Sequence, residues 1–213
     1  MHGRCLAFLV LLVSGPASAG APIAFFAEQA TADAAPQGCT PALTGGGGAV
    51  KWVAVAEPEA PRGLALAETS RDPTDTRFPL CVVATPAARN VDVTVRFRPV
   101  AGRVDQAGGI AVRYADARTY YVVRANALED NVRLYHVTNG VRREFAGKDT
   151  KVARGQWHSL RLRLIDDRFE VWFDGAALFA ATDLRIAGAG QVALWTKADS
   201  LTHFAELSVE TLP

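Results

Sequence analysis

Residues 119–135, TYYVVRANALEDNVRLY, carry three tyrosines and two arginines in two alternating runs around the acidic turn ALED. A period of two is the signature of a strand whose faces meet different surroundings. Folding the runs back around the turn sets Val123 opposite Leu134 and Ala125 opposite Val132 on one face. The other face then holds Arg124 opposite Arg133 and Val122 opposite Tyr135. The preceding GGIAVRY joins through ADAR, pairing Val112 with Tyr121 and Ile110 with Val123 on the first face. Arg113 falls opposite Tyr120, and Gly109 opposite Arg124, on the second. The next turn, Asn139–Gly140, is a strong hairpin signal and pairs Leu134 with Phe145 and Tyr135 with Glu144. All three turns assign the same faces. Because a one-residue slip would expose the apolar set, this agreement predicts an antiparallel meander.

The flanking segments repeat the pattern. HSLRLRLI and RFEVWF pair around Asp166–Asp167, aligning Leu160, Leu162 and Leu164 with Phe173, Val171 and Phe169. VDVTVRFRP, GQVALWTKA and THFAELSVETL also alternate, and no stretch reads as a helix. Many strands joined by short turns predict an all-β fold, a two-sheet antiparallel jelly-roll sandwich. The segment 20–50 is rich in Ala, Pro and Gly and reads as irregular, its TGGGGAV leading into the strand KWVAVAE.

The first 19 residues read as a signal peptide: Arg4, an apolar run from Leu6 to Val13 too short to span a bilayer, then Ala17 and Ala19. The expected mature chain is one domain, 20–213, secreted or periplasmic and not integral to a membrane. Removing Arg4 leaves 22 basic residues against 22 acidic ones, a balance without the basic footprint of a nucleic-acid binder. Two cysteines survive processing, Cys39 and Cys81, and an exported chain with such a pair has two readings: one disulfide, or two buried thiols.

VDQAGGIAVRY, YYVVRANALEDNVRLY, GQWHSLRLR, FEVWFDG and GQVALWTKADSLTHF together resemble the concanavalin A-like, laminin G-like jelly-roll superfamily. More narrowly, they resemble exported bacterial proteins grouped with the 3-keto-disaccharide hydrolase domain. The resemblance spans Cys39 to Leu212 and implies two curved sheets with any ligand on the concave one. Laminarinase-like members carry an E-x-D-x-x-E strand motif. Its absence here argues against that chemistry.

The second face of the meander gathers Arg113, Tyr120, Arg124, Asn126, Asn131, Arg133, Tyr135 and Glu144. Arg124 opposite Arg133 is unfavourable without a nearby negative group, and Gly109 leaves a gap in that side-chain layer. Aromatic rings beside arginines and amides suit a carbohydrate or other polyhydroxylated ligand, with Trp195 and Lys197 extending the floor. The plain alternative is a solvated sheet face whose arginines pair with their own acids. A hydrolase or lyase acting on 3-keto-disaccharides or related glycosides is the alternative; hydrolysis would need a carboxylate pair, and Glu144 and Asp105 are the acid/base candidates. A third reading is a structural or protein-interaction sandwich. His136 falls on the apolar face, as a core histidine would. No metal-binding motif is present, so no cofactor is expected; the superfamily resemblance allows calcium at the Asp105 loop or at LEDN.

Overall fold

Alternation of apolar residues along nearly every segment from Cys39 onwards folds the chain into strands, as seen in a computed structural model that describes Ile23, Phe25 and residues 30–213. The expected signal peptide lies outside the described residues. The strands are β1 (Cys39–Thr44), β2 (Trp52–Ala56), β3 (Leu64–Glu68), β4 (Phe78–Val83), β5 (Asn90–Ala101), β6 (Ala107–Asp116) and β7 (Thr119–Asn126). They continue with β8 (Asn131–Thr138), β9 (Val141–Asp149), β10 (His158–Ile165), β11 (Arg168–Phe173), β12 (Ala176–Thr182), β13 (Gln191–Thr196) and β14 (Leu201–Leu212). One sheet runs β1-β4-β13-β6-β7-β8-β9 and the other β12-β11-β10-β5-β14-β3-β2. Every pairing is antiparallel. The molecule is a two-sheet jelly-roll sandwich of the concanavalin A-like kind.

The core forms where the two inner faces meet. Val91, Val93, Val95 and Phe97 of β5 and Leu160, Leu162 and Leu164 of β10 pack against Ile110, Val112, Tyr121, Val123 and Leu134. The β7–β8 and β10–β11 registers are those read from the sequence, residue for residue. His136 is buried opposite Tyr121 and packs near Phe145.

Three expectations need correction. Cys39–Thr44, within the segment read as irregular, forms the edge strand β1 against β4. An edge strand bonds on one side only, so it tolerates Pro41 and needs no strong alternation. Next, Leu134 faces Ala146, while Tyr135 faces Glu144 as expected. The extra residue, Phe145, makes a bulge and still packs on Tyr121 and Phe169. Finally, β6 bulges after Val112. It advances four residues to Asp116 while β7 advances two, from Tyr121 to Thr119, and Arg113 adopts a φ of 49°. That twist takes Arg113 out of register with Tyr120.

Cys39 and Cys81 form a disulfide with Cα atoms 5.4 Å apart, tying β1 to the buried β4. The glycine run does more than lead into β2. Arg77, wholly buried, donates Nε to Gly48 O and Nη2 to Ala49 O, and pairs with the buried Glu68 at 3.3 Å. Gly47 sits at φ 88°, and a Cβ there would meet Arg77 Cδ at 2.6 Å, so this loop needs glycine both for its backbone and for its closeness.

Candidate functional site

The outer face of the β1–β9 sheet is apolar at its centre, with Phe78, Leu80, Val82, Ala111, Tyr120, Val122, Val137, Ala193 and Trp195 in one cluster. It is also strongly curved. β4 and β9 are five strand spacings apart, about 24 Å in a flat sheet. Yet the guanidinium of Arg142 on β9 lies 4.6 Å from the ring centroid of Phe78 on β4. Likewise Thr44 at the end of β1 shares a 2.9 Å hydrogen bond with the hydroxyl of Tyr120 on β7. The side chains of opposite sheet margins meet over this face, which is therefore the concave one.

Arg142 is the centre of the arrangement. Its Cζ lies 4.4 Å from the ring of Tyr135, 4.6 Å from Phe78 and 5.5 Å from Trp195. Phe78 and Trp195 stack at 5.5 Å beneath it. Such cation–ring contacts are each worth about 0.5–2 kcal/mol, more when desolvated. Burial nonetheless pulls the Arg142 guanidinium below its ordinary value, and the nearby Arg124 adds to the effect. Its Nη1 is buried with no hydrogen-bond partner.

Around it lies a polar network. Arg124 donates Nη2 to the Tyr135 hydroxyl and to Glu129, both at 2.8 Å, and Nη1 to Asn131. Asn131 in turn donates to Glu129 at 3.2 Å. Arg133 pairs with Asp149 at 2.5 Å and with Glu144 at 3.3 Å. Lys197 bridges Asp75 and Asp105, at 2.5 and 2.9 Å, and Asn126 donates to Asp105 at 2.8 Å. Burial pushes the Asp105 carboxyl up, against the pull of Lys197. Burial also raises the Tyr135 phenol, against Arg124 and Arg142.

The expected residues thus sort into three groups. Arg124, Asn126, Asn131, Arg133, Tyr135, Lys197, Asp105 and Glu144 lie in this face or its rim. Tyr120 and Trp195 belong to its floor, wholly buried, with Trp195 Nε1 donating to the Tyr120 hydroxyl at 3.3 Å. Arg113 is elsewhere: it donates Nε to Arg89 O, Nη1 to Ile186 O and Nη2 to Asp166 O, tying loops of the other sheet. The opposed Arg124 and Arg133 are each neutralised separately, by Glu129 and by Asp149 with Glu144. The two acid candidates also have partners: Asp105 is enclosed by Lys197 and Asn126, and Glu144 by Arg133. Among the described residues, no group of three or more His, Cys, Asp or Glu side chains is placed to hold a metal. Arg142 was missed in the sequence, although the Asn139–Gly140 turn places it opposite Val137, on the face of Tyr135.

No curated protein sequence matches the chain. Among solved structures, the carbohydrate binding module CBM66 from Bacillus subtilis superposes with a TM-score of 0.65 at 20% identity, covering 82% of this chain and 96% of its own. A Bacillus subtilis protein of unknown function with a galectin-like fold superposes with a TM-score of 0.55 at 8% identity, covering 80% of this chain and 89% of its own. At these identities the likeness is one of fold. Residues 89–212 match the family described as galactocerebrosidase, C-terminal lectin domain, a span holding β6 to β9 and β13 and so most of the concave face. With more than half of its length matched, the chain belongs to the galactocerebrosidase C-terminal lectin domain family.

Proposed function

We propose that this chain is a sugar-binding module whose ligand lies on the concave face at Arg142, Tyr135, Arg124 and Asn131. Arg142 is the observation that carries the reading. A cation held over three rings, with a buried donor left unpaired, costs free energy that a packed core would have removed by an apolar residue. The neighbouring N–H, amide and phenol groups supply the convergent polar edges that fix hydroxyl-rich rings in a mostly apolar hollow. The lectin-domain family and the fold shared with a carbohydrate binding module support the same assignment. The ion pairs that engage Asp105 and Glu144 favour binding over turnover. The apolar leader at 6–13 supports export, placing the module where extracellular or periplasmic glycans occur.

The test is a glycan array read with the wild-type protein, Arg142→Ala and Tyr135→Ala, each checked for folding by thermal melting. The expected result is binding of at least one glycan class, weakened about tenfold or more in both variants. A folded wild type that binds no glycan, or variants that bind as tightly as wild type, would overturn the assignment.

A further inference from the structure

We infer that the ligand carries a carboxylate, read by Arg142, so that the module selects acidic sugars over neutral ones. The inference rests on the sugar-binding reading and narrows it to a substrate class.

The first argument is charge. Among the described residues of this face, every cation except one has a carboxylate within ion-pair distance: Arg124 has Glu129, Arg133 has Asp149 and Glu144, and Lys197 has Asp75 and Asp105. Arg142 makes no such pair. Its neighbours are three rings, and the Cζ of Arg124 lies 5.5 Å from the centroid of one of them, Tyr135. Burial above all, and Arg124 to a lesser degree, lower the proton affinity of Arg142, and no carboxylate among the described residues offsets them by pairing with it. A neutral hydroxyl would give Nη1 an acceptor but leave the guanidinium without a counter-charge. An anion addresses both.

The second argument is shape. A neutral sugar commonly lies with its C–H face on an exposed aromatic ring, and here that platform is already covered. Trp195 is wholly buried, Phe78 nearly so, and both lie beneath the Arg142 guanidinium. The rings surround the guanidinium with apolar surface, their centroids 4.4–5.5 Å from its Cζ, which leaves recognition to its N–H groups. A planar fork of donors matches a carboxylate in two parallel bonds and matches single hydroxyls less well. The acids of β9 do not compete for it, because Glu144 and Asp149 are both engaged with Arg133.

The decisive experiment changes the ligand and leaves the protein intact. Isothermal titration of the wild-type protein with trigalacturonate and with its fully methyl-esterified form compares one sugar backbone with and without charge. Binding of the acid about 10- to 100-fold more tightly is expected, the span of a hydrogen bond to a charged group. The preference should shrink as NaCl screens it. Arg142→Gln, melting like the wild type, should bind acid and ester alike, whereas Arg142→Lys should retain part of the preference. Equal affinity for acid and ester in the wild type would remove this inference and leave sugar binding standing. A preference unchanged in Arg142→Gln would also remove it. Absence of binding to any glycan would remove the underlying assignment as well.

Discussion

Arg77 and Glu68 show how a single buried pair organises a loop that composition alone would call a linker. Glu68 accepts the backbone N–H groups of Lys51 and Ser70 while pairing with Arg77, and Arg77 Nη1 also reaches Ala198 O. Removing one member of such a pair leaves a buried charge without compensation, at a cost of about 3–5 kcal/mol. Arg77→Met should therefore destabilise the fold by that amount in urea unfolding. Arg77→Met combined with Glu68→Leu should recover part of the loss, because the stranded carboxylate is gone. Independent, additive losses would contradict that coupling. Arg77 stands within RDPTDTRFPL, and no alternation or motif there marks it as a core residue. Arg113 errs in the other direction. Alternation assigns it to the ligand face, but a left-handed φ at its own position redirects it, and an arginine is not a residue whose presence announces such a turn. Arg142 was legible, since hairpin register alone puts it beside Tyr135. Its unpaired Nη1 and its aromatic bed depend on sheet curvature, which brings β4 to β9 and which pairwise register does not encode.

At the scale of elements, hairpins were readable because two constraints coincide in each of them, a turn of defined chemistry and an apolar face that must stay inside. The register of β10 with β11 needed only the leucines, valine and phenylalanines that face the core. Bulges escape this logic, since inserting a residue costs little where the strand is near a sheet end, and Phe145 reaches the core from either register. β1 escapes it too. Its residues are largely half-buried or exposed and its backbone ladder is to β4 alone, so the disulfide is a main tether. The disulfide closes a loop of 42 residues, for which the chain-entropy relation gives about 4 kcal/mol. Cys39→Ala with Cys81→Ala should lower stability by about 2–4 kcal/mol. It should also speed amide exchange in β1 well before the rest of the sheet, as read by hydrogen-exchange mass spectrometry. Uniform exchange loss across the sheet would mean that β1 is held by packing instead. Since Thr44 at the end of β1 bonds to the Tyr120 hydroxyl, loosening this strand should also weaken the floor of the concave face.

The two sheets are joined by crossovers, and at one end of the sandwich a single carboxylate pins two of them. Asp199, between β13 and β14, accepts the backbone N–H groups of Arg103, Val104 and Asp105, between β5 and β6. Burial opposes its ionisation, but those three donors outweigh it and hold the carboxyl below its ordinary value of 3.8. Glu57 lies below its ordinary 4.5, with burial again outweighed, by His203 and Arg98 among others. Asp72, bonded by Thr74 and Gly48, falls to about 2. A carboxyl whose folded value is depressed stabilises the fold fully above its unfolded value, and that contribution is lost as pH falls through the folded one. Asp105 has the opposite sign: its raised value favours the fold at low pH, and this contribution fades as pH rises through that value. The depressed groups outnumber it, so the melting temperature should decline as the pH is lowered from about 4.5 towards 2. Asp199→Asn isolates the crossover term. It should cost about 1–3 kcal/mol at pH 7, where the two bonds to Oδ1 become neutral ones and the amide NH2 cannot accept the third, from Arg103. The difference from wild type should shrink towards pH 2, where the wild-type carboxyl is itself becoming neutral. A difference that stays constant across that range would show that Asp199 acts through its shape and not its charge, and that the acid sensitivity of the sandwich resides elsewhere.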